Sequence, residues 1–407
     1  MPLNRTSSCV ALGLLLCLLA TPSLGQGPLG FQLFAPADVS TYGGEQEPNE
    51  GYFFQFDALY WSISAPTTRL IGFPGHRDVF YGPSSNPDNQ RVQTSTLDTG
   101  PFTDQFSIGN RIEFGRVENR NGWFVSIYQQ RNQSQKFTAP GAEMVFNDPF
   151  FGSPPQQLLK GNVNNVTGSN PIPFTPNDFE LLPVVFDNVL VQDAVNTWGV
   201  EVNYLHQFMT SHTGGTFEMF LGARYFEFND TFTVQTGEDN GTTTVPSFLA
   251  GSSWETSANN HVVGPQIGLR WFKKRGRWTF STEGRFMAGL NCQNIQQQAD
   301  IGPHLNPGVN NDGSYTPFQP TAMSHTTATH VDYEHEFSPA FELRVEGRYQ
   351  ITRAISFHAG WTGMWMDGIA RPNGLIDYTV PAMGIDATNN RQSLFVNGVT
   401  IGFDVNR

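Results

Sequence analysis

Phe337-Ser338-Pro339-Ala340-Phe341-Glu342-Leu343-Arg344-Val345-Glu346-Gly347-Arg348-Tyr349-Gln350 reads as a β-strand with two unlike faces. Phe337, Phe341, Leu343, Val345 and Tyr349 share one parity, and Glu342, Arg344, Glu346 and Arg348 share the other. Alternation with period two means an extended segment whose faces meet different media. The run is also long, since strands of globular proteins average about 5–6 residues.

The same alternation recurs on either side. Phe106, Ile108, Ile112 and Phe114 oppose Arg111 and Glu113. Trp198, Val200, Val202 and Tyr204 oppose Glu201 and Asn203; Phe217, Met219, Leu221 and Tyr225 oppose Glu218 and Arg224. Trp278, Phe280, Phe286, Ala288 and Leu290 oppose Arg277, Ser281, Glu283 and Arg285. Strands are expected at about 52–63, 104–117, 122–131, 195–208, 216–228, 261–273, 277–290, 337–350, 353–366 and 392–405. A further hairpin within 229–260 would raise the number from ten to twelve.

Connections alternate strictly between long and short. Residues 64–103, 132–194, 229–260, 291–336 and 367–391 are long and rich in Pro, Asn, Gly, Thr or Ser. The turns at 118–121, 209–215, 274–276 and 351–352 are short. A soluble β-sandwich would bury the apolar face in a core. A membrane barrel shows that face to lipid and points the charges inward, with short turns on one side and long loops on the other. Strand length and loop alternation favour a transmembrane antiparallel up-and-down β-barrel of about 10–12 strands.

Composition agrees. The 407 residues carry 23 Lys+Arg and 36 Asp+Glu, a formal net charge of −13, and only 14% are charged. Ordinary soluble domains have roughly 25%. Aromatic residues make up 13%, so disorder is excluded, and the acid excess argues against nucleic acid as a partner. The acidity lies mainly on the long connections and the residues before the first strand, while the strands are nearly balanced.

The barrel reading assigns roles. Arg111, Glu113, Glu201, Glu218, Arg224, Arg270, Glu283, Arg285, Glu342, Arg344, Glu346 and Arg348 would line the lumen. Tyr60, Trp61, Trp123, Trp198, Trp271, Trp278, Trp361 and Trp365 lie near strand ends, where aromatic belts mark the two water interfaces. Ile108-Gly109-Asn110-Arg111, Leu221-Gly222-Ala223-Arg224 and Ile267-Gly268-Leu269-Arg270 form a small repeat. Its Gly shares the polar face and leaves room for a neighbouring Arg.

Gly51-Tyr52-Phe53-Phe54-Gln55-Phe56-Asp57-Ala58-Leu59-Tyr60-Trp61, Asn259 through Trp271, Glu283 through Gly289 and Leu394 through Phe403 resemble strands of the β-barrel porin families of bacteria with an outer membrane. The resemblance spans about 52–405 and leaves out the long loops. It implies a pore-forming barrel in the bacterial cell outer membrane, delivered by the barrel-assembly machinery. Many such barrels end on an aromatic residue, whereas here Phe403 precedes Asp404-Val405-Asn406-Arg407.

The N-terminus supports export. Arg5, the apolar run Val10–Ala20 and Ser23-Leu24-Gly25 give the three parts of a secretory signal peptide, residues 1–25. Residues 26–51 read as a flexible periplasmic leader, and 52–407 as the barrel. Cleavage removes Cys9 and Cys17, so Cys292 remains alone, read as a loop thiol.

The expected function is a narrow porin-like channel for ions or small polar solutes through a mixed-charge lumen. A plugged structural barrel, or a surface-adhesion protein acting through its long acidic loops, is the alternative. Outer-membrane lipid is the expected partner, and a homo-oligomer stays open. No enzyme is expected: the Gly-x-Ser-x-Gly elbow and the His-Glu-x-x-His zinc motif are absent. No cofactor or metal is expected either. His325, His330 and His335, five residues apart, would not share a strand or helix face. Asn310-Asn311-Asp312-Gly313 lacks the later bidentate Glu of a calcium loop.

Overall fold

A computed structural model of the chain describes residues 51–72, 77–80, 91–94, 97–147, 181–211, 214–237, 249–303 and 325–406. The signal peptide, the leader up to residue 50 and Asn310–Gly313 lie outside these residues. The strands are β1 (Gly51–Ile63), β2 (Arg77–Phe80), β3 (Arg91–Thr94), β4 (Gln105–Glu118), β5 (Asn121–Asn147), β6 (Leu181–Gln207) and β7 (Gly215–Thr236). They continue as β8 (Ser253–Arg275), β9 (Trp278–Ile301), β10 (Thr326–Gln350), β11 (Ile355–Ile369), β12 (Ile376–Asp377), β13 (Gly384–Ile385) and β14 (Gln392–Asn406).

Ten of these strands close a barrel in the order β1-β14-β11-β10-β9-β8-β7-β6-β5-β4, with β4 returning to β1. Neighbours pair antiparallel throughout, and the first and last strands meet in register at Phe56 and Phe403. The fold is the up-and-down barrel that the alternation implied. Two small hairpins, β2–β3 and β12–β13, stand apart from the ring.

The short turns have the geometry a tight hairpin needs. Asn119 and Arg120 have φ of 50° and 67°, the pair of positive values of a type I′ turn. Gly276 starts the two-residue turn between β8 and β9 with φ of 61°.

The strands beyond the expected ends are the main correction. β5 runs to Asn147 instead of ending near residue 131, and β6 starts at Leu181 instead of 195. The extra hairpin expected within 229–260 is replaced by continuations of β7 to Thr236 and of β8 back to Ser253. Two physical causes hid them. In β5, Arg131 and Asn132 bulge opposite Asn196, so the period-two phase slips after Gln130. Elsewhere the two faces exchange polarity. Along β7, Phe217, Leu221 and Tyr225 point out while Glu218 and Arg224 point in. Further up, Glu227, Asn229, Thr231, Thr233 and Gln235 point out, and Phe228, Phe232 and Val234 point in. The same exchange occurs on β8 between Val263 and His261. Below it the wall suits lipid outside and polar groups inside; above it the wall suits water outside and an apolar core inside.

Six strands, β5 to β10, rise past this level, each 22 to 27 residues long. About 9–11 tilted residues suffice to cross the hydrocarbon layer. The upper wall encloses a core built from Phe186, Val191, Phe232, Val234, Trp254 and Ile301. Residues 370–391 fold into this space and add Ile376, Tyr378, Val380 and Met383.

Candidate functional site

The inward faces of the lower strands form one continuous ion-pair network. Arg344 on β10 lies at its centre, against Glu342 on its own strand, Glu113 of β4 at 3.3 Å, Glu283 of β9 at 3.8 Å and Glu201 of β6 at 4.0 Å. Arg285 bridges Glu201 and Glu283. Arg224 meets Glu342 at 2.5 Å, and Arg270 meets Glu283 at 2.5 Å and Glu218 at 3.2 Å. These contacts join strands on opposite sides of the ring, so the side chains cross the lumen.

A second cluster occupies the turn end. Asp57 of β1 lies 2.6 Å from Arg111 and 2.5 Å from Nε2 of His358. Nδ1 of His358 faces Asp404 at 3.1 Å. Arg348 reaches both Asp404 and Glu346 at 3.1 Å, and Arg111 links to Glu113 at 3.8 Å. Charges this deeply buried are tolerable only when paired and hydrogen-bonded, and here each has partners on neighbouring or facing strands.

Aromatic rings support the arginines from below and beside. Arg285 and Arg270 lie 5.1 Å and 5.5 Å from the centroid of Phe220, and Arg224 lies 5.5 Å from that of Tyr128. Each ring faces a glycine across the ladder: Phe220 opposite Gly268, and Tyr128 opposite Gly199. A Cβ at either glycine would overlap the ring. So in the Ile-Gly-Leu-Arg segment the glycine makes room for a ring, and the ring in turn carries the guanidinium.

The loop end is stoppered by residues 370–391. Ala370 and Asn260 exchange two hydrogen bonds, of 2.8 and 2.9 Å. Gln293 donates to the carbonyls of Gly368 and Asn390, both at 3.1 Å, and Asn291 donates to Gly368 at 2.9 Å. Arg371, 1% exposed, meets Asp230 at 2.7 Å and Asp193 at 3.6 Å and donates to the Ser64 carbonyl at 2.7 Å. Tyr378 packs edge-on against Trp254, and burial pushes its phenol well above the usual range.

All twelve charged residues expected to face the lumen point inward. Arg270, Glu346 and Arg348 are half-buried, and the other nine are buried. Seven of the eight belt residues point outward. Trp61 does not: it is 3% exposed, faces the interior and donates through Nε1 to Thr400 at 3.3 Å. Tyr60 and Trp61 are adjacent, and adjacent strand residues lie on opposite faces. Parity therefore excludes one of the two from the belt. Cys292 sits within β9 rather than in a loop.

The histidines at 325, 330 and 335 divide their roles. His325 pairs with Asp300 at 2.7 Å, His330 points inward to the Ala382 carbonyl at 2.9 Å, and His335 points outward. Among the described residues no group of three His, Cys, Asp or Glu is placed to hold a metal ion.

Sequence reasoning passed over Asp57, His358, Asp404, Arg371, Asp193 and Asp230. Parity marks Asp57, which lies two residues from the inward Gln55 and Leu59. Parity also marks His358, between the outward Phe357 and Ala359, and Asp404, in phase with the inward Thr400 and Gly402. Asp193, Asp230 and Arg371 carry no such signal, because they sit above the exchange of polarity or where the chain leaves the barrel wall.

The chain matches the family model described as Putative beta barrel porin-7 over residues 83–406. It belongs to that family. The porin-7 match takes in every barrel strand except β1, and places the barrel in the bacterial outer membrane. No curated protein matches. Among solved structures, the outer membrane protease OmpT from Escherichia coli is 9% identical with a TM-score of 0.41, over 88% of this chain and 98% of that one. A Pseudomonas aeruginosa FadL homologue is 6% identical with a TM-score of 0.21, over 87% and 89%. The Pseudomonas putida toluene transporter TodX is 9% identical with a TM-score of 0.15, over 88% and 90%.

Proposed function

We propose that this porin-7 barrel is a channel for ions or small polar solutes that is shut at rest. One observation carries the reading: Arg344 reaches carboxylates on β4, β6 and β9 at once, so its network spans the lumen. A wall of both charge signs suits small polar solutes and gives no strong preference for cations or anions. The segment 370–391 closes the loop end as a second barrier, held by Arg371 through Asp230 and Asp193.

Ten strands stand between the eight whose interior side chains alone fill and the 16–18 that leave a wide aqueous channel. Conduction then needs both barriers to move. The completeness of the filling favours a second reading, a structural barrel that never opens.

Planar-bilayer recordings separate the two. The mature protein should be silent or open only briefly. A variant with 373–390 replaced by a short Gly-Ser linker and carrying Arg344→Ala should conduct steadily. A wild-type protein with a steady open level refutes closure at rest. A variant that keeps its heat-dependent gel mobility shift, and so is folded, yet stays silent refutes the channel in favour of the structural barrel. Arg371→Ala alone should expose 375–391 to protease without opening the lower network.

A further inference from the structure

Above the level where the faces exchange polarity, the outer wall carries a cleft that the channel reading leaves unused. Its cavity of about 520 Å³ lies across β7, β8, β9 and β10. That volume falls within the roughly 300–1,000 Å³ usual for small-molecule sites. Two rungs of directly paired residues form its floor. One is Gln235, Ser253, Asp300 and Thr327; the next is Thr233, Glu255, Gln298 and Thr329. Their spacing follows the sheet: about 4.8 Å between strands and about 7 Å between rungs.

The lining chemistry restricts the ligand. Each outward group is a hydroxyl, an amide or a carboxylate, and no Lys or Arg lines the cleft. Glu255 would repel a phosphate or a carboxylate. Trp254, Ala299 and Ala328 complete the lining but belong to the inward parity, so the rungs offer no apolar side chain as a seat for a peptide anchor. Among the described residues, Gln235, Glu255 and Gln298 make no side-chain hydrogen bond. A two-dimensional grid of such groups suits a ligand that repeats hydroxyls at regular intervals.

Height matters as well. Thr233 stands six residues above Glu227, about 20 Å further along the strand than the exchange level. The cleft is therefore reached from water, clear of the lipid-facing band.

We infer that this cleft binds an oligosaccharide, neutral or amine-bearing, at the outer cell surface. Hydroxyls of the sugar would pair with the Gln and Thr rungs, and an amine would sit against Glu255, since Asp300 already meets His325 at 2.7 Å.

Calorimetry on the full mature protein in detergent tests it with maltohexaose, the fully deacetylated chitotetraose, and an oligogalacturonate of similar length. Saturable binding of the amine-bearing sugar, with maltohexaose weaker and oligogalacturonate absent, is the expected order. Glu255→Ala with Gln298→Ala should weaken the amine-bearing sugar about ten-fold or more. Asn294→Ala, outward on β9 below the cleft, should leave it unchanged, and a retained heat-dependent mobility shift reports folding of both variants. Binding of none of the three, equal binding of all three, preference for the oligogalacturonate, or binding indifferent to the double substitution overturns the inference.

Discussion

Phe220 of β7 and Gly268 of β8 face each other directly across the ladder, and the ring occupies the space a side chain at 268 would need. That one relationship connects local sequence to the lumen, because Arg270 and Arg285 both rest on the Phe220 ring. Gly268→Val should displace the ring and loosen both arginines, at about 1–3 kcal/mol for overpacking. Gly284→Ala is the control, since a Cβ there meets nothing within 4 Å; it should stay within about 0.5 kcal/mol of wild type. Urea unfolding of the detergent-solubilised barrel, followed by tryptophan fluorescence, measures both.

Arg344 should be the most sensitive member of the network. Arg344→Met leaves Glu342 and Glu113 short of a buried counter-charge and should cost about 3–5 kcal/mol. Adding Glu342→Gln removes one of the stranded charges and should recover part of that loss. Arg348→Met should cost less, about 0–1 kcal/mol, because its side chain is 28% exposed to water at the turn end. The same urea titration ranks the three, and equal losses for Arg344→Met and Arg348→Met would contradict the central position of Arg344.

Much of this was readable in the sequence, for a physical reason. Between Phe106 and Tyr349 the lower wall separates lipid from a charged lumen, so Glu113, Arg224 or Arg344 each announce their face by parity. The upper wall separates water from an apolar core, which inverts the pattern. A reader following one phase sees β7 stop near Phe228, although the backbone continues to Thr236. Arg371, Asp193 and Asp230 stayed hidden because their contact joins a segment after β11 to strands more than 140 residues earlier. Trp61 was misassigned because residue type was weighed above parity.

Trp61 gives a direct check on the faces. Brominated lipid quenches an indole that touches acyl chains. In single-tryptophan variants reconstituted in such lipid, Trp365, 42% exposed on the outer wall, should be strongly quenched. Trp61, inside the ring against Tyr128 and Thr400, should keep its emission. Equal quenching of the two would mean that β1 pairs one residue out of register, which turns every side chain over.

The exchange of polarity on β8 predicts where the bilayer ends. Ile267 is 47% exposed on the lower outer face, four residues below Val263 and six below His261. Ile267→Arg would place a guanidinium against acyl chains, at about 2–4 kcal/mol if it lies near the midplane. Ser257, on the same face above His261, points into water, so Ser257→Arg should cost about 0–1 kcal/mol. The two substitutions add the same side chain to the same strand face. Their difference therefore reports the medium and not the fold. Unfolding of both variants in lipid vesicles measures that difference directly. A soluble sandwich would give no such gradient along β8, because its outer face would be in water from end to end. Equal costs at 257 and 267 would therefore remove the membrane from the account of this barrel, whereas a steep fall between them places the outer interface between Ile267 and Ser257, the interval that holds the exchange of polarity.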